Sequence, residues 1–245
     1  MTYCVGICLR DGLVMASDTR TNAGVDNVAT FRKMHVWERP GDRVVVLLAA
    51  GNLAASQSVV SLLDERAAEG GEEGRSIYSV TSMFQAARLV GEAVRETMRL
   101  DASAIEATSE SFHISFLLGG QIGNGQSRLY QIYTAGNFIE TSEDTPYFQI
   151  GEHKYGKPIL DRVARRDMPL ADAAKLLLLS FDSTLRSNLS VGMPIDLLIY
   201  RKDALEVEYN HRVEADDPYF MQIAIAWSKA LRDVFASLPE LEFKD

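Results

Sequence analysis

Residues 2 to 9 alternate without a break: Tyr3, Val5, Ile7 and Leu9 put apolar side chains on one face, and Thr2, Cys4, Gly6 and Cys8 put small ones on the other. That period of two predicts a strand covered on both faces, one of them tightly. Arg10-Asp11-Gly12 signals a hairpin turn, and Leu13 to Asp18 reads as the returning strand. A second pair follows, Lys33 to Glu38 and Arg43 to Ala50, around Pro40-Gly41-Asp42; its later strand is almost wholly apolar, as expected of burial on both faces. Gly51 and Asn52 then open a helix to about Ala68. Beyond a loop at Gly70 to Gly74, Ser76 to Leu100 reads as a long helix with Ile77, Val80, Phe84, Ala87 and Val94 inward. Strands return at Phe112 to Leu118 and Leu129 to Tyr133, joined through Gly123-Asn124-Gly125. A short strand near Tyr147 to Ile150 leads through Gly151 into a helix ending near Arg165. Pro169 starts a helix from Leu170 to Leu189, with the run Leu176 to Ser180 expected deep in a core. Ile195 to Tyr200 and Leu205 to Tyr209 form the last hairpin, and a helix from Pro218 to Leu238 precedes a charged tail.

Strands, two helices, strands, two helices, strands, helix: with hairpins dominant, this order predicts an α+β fold of largely antiparallel sheets with helices gathered in layers. No repeat, linker or low-complexity tract divides residues 1–245, so a single domain is expected. Hydrophobic residues at 47% and charged residues at 24% are ordinary for a soluble globular protein. Acidic residues outnumber basic ones 34 to 25, for a net charge of -9, and no Lys/Arg cluster relieves the imbalance, which excludes a general nucleic-acid binder. The first residues lack the basic and apolar regions of a secretory signal, and no apolar stretch is long enough to span a bilayer. Cys4 and Cys8 would lie roughly 13 Å apart on one strand, too far for a disulfide. A reduced, cytoplasmic protein is the expectation.

Thr2 stands at the first position of the first strand. Methionine ahead of a small residue is commonly trimmed, and loss of Met1 would give Thr2 a free α-amine with a reference pKa of about 7.7–8.0. Such a residue holds its own nucleophile and its own general base, and needs no histidine. Asp18 ends the strand that runs back beside Thr2, and Lys33 opens the next pair. A lysine near Thr2, oriented by Asp18, would favour the ionised hydroxyl and keep the amine neutral. Gly51, between a buried strand and a helix start, offers a backbone N–H where an oxyanion would form. Singly these read as a turn aspartate, a strand-edge lysine and a tight turn; together and in this order they specify a chemistry. Other constellations fail. His35, His113, His153 and His211 are scattered without metal-ligand spacing, and there is neither a Gly-x-Ser-x-Gly elbow nor a phosphate loop. Gly119-Gly120 and Gly123-Asn124-Gly125 read as a hairpin turn, and Cys4 has no histidine near it in sequence. Nothing calls for a metal or cofactor.

The segments TYCVGI, ASDTRTNAG, FRKM and AAGNLA resemble the N-terminal-nucleophile hydrolases of the proteasome β-subunit and HslV type, and in particular the bacterial proteasome-related family called Anbu. The runs IGEHKYGKPILDR and STLRSNLSVGMPIDLLIY extend the resemblance over most of the chain. It implies a four-layer αββα sandwich of two mainly antiparallel sheets, a threonine nucleophile freed by removal of Met1 alone, and a self-compartmentalising homo-oligomer. Thr2, Asp18 and Lys33 match the family's nucleophile, aspartate and lysine, and Gly51 its oxyanion-hole glycine. Ser190 falls where the family places a serine that bonds the threonine's amine. Thr21, Phe31, Ala49 and Leu53 fall near its specificity-pocket positions, implying an apolar or small side chain before the cleaved bond. Two positions depart from the pattern: Ser187 stands where an aspartate of the serine's cluster is usual, and Glu152 where a serine between glycines is usual.

The function so implied is a cytoplasmic threonine-type peptidase or amidohydrolase acting on peptide or unfolded-protein substrates, assembled as a closed ring or an open helical one. The sequence leaves open whether an ATPase partner feeds the assembly. Three other readings stand beside it: a small-amide hydrolase of the same fold, a silent assembly subunit, for which Ser187 and Glu152 speak, and a scaffold that binds a partner through the acidic tail Pro239 to Asp245.

Overall fold

The alternation at the start of the chain becomes the central fact of the sandwich. The structure, a computed structural model, describes residues 2–22, 28–68, 75–107 and 112–243, so Met1, the expected loop at Gly70 to Gly74 and the last two residues of the tail lie outside it. In chain order the described elements are β1 (Tyr3–Leu9), β2 (Gly12–Asp18), β3 (Arg20–Asn22), β4 (Val28–Thr30), β5 (Met34–Arg39), β6 (Arg43–Gly51), α1 (Leu53–Ala68) and α2 (Met83–Ala107). There follow β7 (Ile114–Ile122), β8 (Arg128–Ile132), β9 (Phe138–Glu140), β10 (Tyr147–Gly151), α3 (Lys157–Val163), α4 (Leu170–Ser187), β11 (Ile195–Arg201), β12 (Tyr209–Val213) and α5 (Pro218–Ser237).

One five-stranded sheet runs β10-β1-β2-β11-β12 and the other β5-β6-β7-β8-β9, every pairing antiparallel, with β3 and β4 forming a separate ribbon. The large face of β1 (Tyr3, Val5, Ile7, Leu9) packs with Leu177 and Phe181 of α4. Its small face lies between the sheets, where Cys4 and Cys8 meet Leu48, Leu117 and Leu129. A Cβ at Gly6 would stand 3.2 Å from Leu129, and one at Gly119 would stand 2.6 Å from the Met15 sulfur, so small residues let the sheets approach this closely. On the far side, Val59 and Leu63 of α1 and Val90 and Val94 of α2 cover Leu47, Phe116 and Leu118 of the second sheet. The layers are therefore helix, sheet, sheet, helix, the expected αββα sandwich. Each fully buried Leu or Phe in these cores contributes about 1.5–3 kcal/mol.

Helix starts follow local chemistry. Asn52 Oδ1 accepts the Ala55 N–H at 3.1 Å ahead of α1, and Asp217 accepts the Phe220 N–H at 2.8 Å ahead of α5. The α2 helix begins at Met83 rather than near Ser76 because Ser82 caps the Gln85 N–H at 3.2 Å, and Ser76 and Ser79 close a separate turn. Ile77 and Val80 are buried from that turn, whereas Phe84 is half exposed, against the inward expectation, and packs edge-to-face with Phe138. The strand expected at Leu205 to Tyr209 lies at Tyr209–Val213, since Asp203 and Leu205 take positive φ and lengthen the turn. The helix after Gly151 is shorter than expected, and β3, β4 and β9 are additions to the expected elements. Among the described residues no helix is long and apolar enough to cross a membrane.

Candidate active site

Thr2 immediately precedes β1, a strand flanked on both sides by β10 and β2, so its backbone is held before its side chain is considered. The Thr2 carbonyl accepts the Glu152 N–H at 2.6 Å, one step past the Tyr3–Gly151 pair. Gly151 is required for this approach: its φ is +81°, and a Cβ there would stand 2.1 Å from the Thr2 carbonyl oxygen. Asp18, fully buried at the end of β2, accepts the Tyr3 N–H at 2.9 Å through Oδ1. Its carboxylate thus pins the residue next to Thr2.

The same Oδ1 accepts from Lys33 Nζ at 2.7 Å, and Nζ also donates to the Arg20 carbonyl at 2.6 Å. Lys33 is 5% exposed. Burial pushes the Asp18 carboxyl above its ordinary value, while the Lys33 ammonium and the N–H groups of Tyr3 and Gly192 oppose the rise. An ammonium and a carboxylate fixed together in this way hold a definite charge at a definite point.

One cleft brings the predicted residues together: Thr2, Thr21, Lys33, Ala49, Gly51 and Leu53 all line it. Gly51 ends β6 with φ +109°, between Ala49, whose N–H still bonds the Lys33 carbonyl at 3.0 Å, and Asn52, whose N–H bonds the His113 carbonyl at 2.9 Å. The Thr21 hydroxyl is buried and has no hydrogen-bond partner among the described residues. Phe31 is not part of the cleft wall; it is 38% exposed, and its N–H bonds the Thr19 carbonyl at 2.9 Å. Ser190 sits half-buried in the turn after α4, where its N–H bonds Asn188 Oδ1 at 2.9 Å; among the described residues no hydrogen bond joins its hydroxyl to Thr2. Ser187 is exposed at the end of α4.

The cleft also includes Arg32, His35, Ser56 and Gln57, which sequence reasoning does not single out. Two of these carry a signal. His35 is two residues past Lys33, hence on the same face of an extended strand; Gln57 is four past Leu53, hence on the same helical face. Glu152 registers in sequence only as a departure, yet it is 5% exposed and its carboxylate accepts from the His153 and Lys154 N–H groups and from Asn188 Nδ2. Burial pushes its carboxyl up, but those three donors outweigh the burial and hold it below the ordinary value. Cys4 is no competitor as nucleophile: its thiol is buried between the sheets, burial pushes it well up, and it donates to the Ala49 carbonyl at 3.5 Å.

Residues 2–199 match the proteasome subunit family. Proteasome subunit beta 1 of Pyrobaculum aerophilum is 27% identical over 199 residues, which are 81% of this chain and 89% of that protein. The solved structure of Anbu from Hyphomicrobium sp. strain MC1 is 56% identical with a TM-score of 0.92, over 99% of this chain and 100% of that one. The Anbu complex of Pseudomonas aeruginosa, solved as a helical assembly, is 50% identical with a TM-score of 0.92 over 98% of each chain. A sandwich of this topology, matched along its length at these identities, makes the chain a member of the proteasome subunit family, closely similar within it to the bacterial Anbu proteins.

Proposed function

We propose that this chain is a threonine-dependent N-terminal-nucleophile hydrolase of peptide bonds, with Thr2 as nucleophile once its α-amine is free. One observation carries the reading: Thr2, at the mouth of β1, shares a cleft with Gly51 and with a Lys33 locked to the buried Asp18. Thr2 Oγ attacks the substrate carbonyl carbon while its proton passes to the Thr2 amine, directly or through water. The Lys33 ammonium favours the developing alkoxide and disfavours a second positive charge on the amine. The carbonyl oxygen becomes an oxyanion, stabilised by the Gly51 N–H. As the intermediate collapses, the protonated amine gives its proton to the departing nitrogen, leaving an ester on Thr2. Water, deprotonated by the amine, attacks that ester, releases the acid and restores Thr2.

Ala49 and Leu53 suit a small or apolar side chain before the cleaved bond, and Arg32, His35 and Gln57 add polar groups to the same wall. Ile225, Leu231, Val234 and Phe235 of α5 are exposed, which supports assembly into a homo-oligomer; the substrates proposed for that assembly are peptides or unfolded chains, and its compartment the cytoplasm. The test is Thr2→Ala: unchanged folding with loss of hydrolysis across a peptide library is expected, and full activity would exclude the mechanism. Turnover of small amides but not peptides would move the substrate class and keep the nucleophile. A second reading, an assembly subunit with little turnover, draws on the Ser190 hydroxyl having no bond to Thr2 among the described residues and on the exposed Ser187.

A further inference from the structure

The three acceptor bonds of the Glu152 carboxylate are not of one kind. Oε1 accepts the backbone N–H groups of His153 at 2.9 Å and Lys154 at 2.7 Å, as a carboxylate capping its own turn would. Oε2 instead reaches across 36 residues to Asn188 Nδ2 at 2.7 Å, a bond that a local cap does not need. Asn188 is 7% exposed, and its Oδ1 in turn accepts the Ser190 N–H at 2.9 Å. With the Glu152 N–H on the Thr2 carbonyl, one continuous chain of hydrogen bonds runs from Thr2 through Glu152 and Asn188 to Ser190. The other side of the same turn is held by Asp18, whose Oδ2 accepts the Gly192 N–H at 3.4 Å, and by Arg20, which donates to the Leu189 carbonyl at 3.0 Å. Two buried carboxylates therefore hold the 188–192 turn from opposite ends; the Asp18 carboxylate also accepts the Tyr3 N–H, whereas Glu152 is tied to the Thr2 carbonyl through its backbone N–H.

We propose that Glu152 is a positioning residue of the Thr2 site: through Asn188 its carboxylate fixes the 188–192 turn against the strand end that carries Thr2. The inference rests on the reading of Thr2 as the nucleophile, since only then does the placement of this turn matter to a reaction. It does not ask Glu152 to touch the substrate.

The direction of each hydrogen bond sets the outcome of substitution. An amide in place of the 152 carboxylate keeps the shape, and its one carbonyl must stay on the His153 and Lys154 N–H groups. Its NH2 then faces the Asn188 NH2, donor against donor. If Asn188 flips to offer its oxygen, its NH2 meets the Ser190 N–H instead, so one link fails either way. A carboxylate in place of the 188 amide, introduced alone, sets two carboxylates face to face. Glu152→Gln combined with Asn188→Asp restores every bond: the new amide NH2 at position 152 donates to one oxygen of the new carboxylate at position 188, and the Ser190 N–H donates to the other.

The experiment uses the full chain beginning at Thr2, as wild type, E152Q, N188D and the double variant. Two readouts are taken: the rate at which a peptide epoxyketone forms an adduct on Thr2, by intact mass, and amide hydrogen exchange across residues 188–192. Each single variant is expected to slow the adduct about tenfold and to speed exchange, consistent with loss of one buried hydrogen bond. The double variant is expected to return both readouts close to wild type, a rescue that a general loss of packing would not give. Unchanged exchange and labelling in E152Q, or a double variant no better than the singles, would overturn the proposal. A wild type that forms no adduct would remove Thr2 as nucleophile, while the exchange data would still decide whether Glu152 fixes the turn.

Discussion

Lys33 stands one residue before β5 in one sheet and Asp18 closes β2 in the other, and their 2.7 Å ion pair joins the two sheets beside Thr2. Neither charge has appreciable access to water, at 5% and 0% exposure. Removing the ammonium leaves a buried carboxylate whose remaining donors, among the described residues, are the backbone N–H groups of Tyr3 and Gly192. Lys33→Ala is therefore expected to cost ~3–5 kcal/mol of stability at neutral pH, measured by denaturant unfolding, and to abolish labelling of Thr2. The sign with pH follows from Asp18, whose folded value burial raises. A raised carboxyl favours the protonated fold, so the variant is most stable in acid and loses stability as pH rises. A loss below about 1 kcal/mol would mean that the pair behaves as an exposed one.

His35 supplies a second pH test. Burial pushes its imidazole below the ordinary value, with the Asp64 carboxylate opposing and the Arg32 guanidinium adding to the fall. A base depressed on folding contributes stability above its unfolded pKa of about 6.5, and that stability is lost as pH falls through the folded value. An NMR titration is expected to give a midpoint below about 6.5, raised by Arg32→Ala and lowered by Asp64→Asn. A midpoint above the reference would contradict the burial.

Gly151→Ala places a methyl 2.1 Å from the Thr2 carbonyl oxygen at a φ of +81°. Left-handed backbone alone costs an alanine ~1–3 kcal/mol, and β1 must also shift. A lower melting temperature and a lost or slowed Thr2 adduct are expected together. Normal labelling would show that the strand end has more freedom than its hydrogen bonds imply.

Phe235 is 78% exposed on α5, beside Val234 and Leu231. Under the assembly proposal Phe235→Asp leaves the fold intact and reduces the particle mass in light scattering. An unchanged mass would place the self-association surface elsewhere.

Much of the fold is legible in the sequence because it is periodic or punctuated. The alternation of β1 carries both its burial and the tight sheet-to-sheet face, and Asn52, Pro169 and Pro218 mark helix starts that hold to within a residue or two. What escapes has no local period. The strands β3, β4 and β9 are three residues each, too short to show one. Ile77 and Val80 are buried from a turn, so their spacing imitates a helix. Glu152 is the most instructive case. Compared position by position it registers as a missing serine, because what a carboxylate does depends on what it touches, and Asn188 is 36 residues away. The exposed Ser187, next to Asn188 in the chain, draws attention instead.

Whether Thr2 is the nucleophile is decided by an intact-mass spectrum of the purified protein before and after treatment with an epoxyketone, which needs both the free amine and the hydroxyl of an N-terminal threonine. A chain lacking Met1 that gains one adduct, mapped to Thr2 and absent from Thr2→Ala, is expected. A chain that begins at Thr2, remains folded and takes no adduct would contradict it and leave the assembly subunit as the better reading.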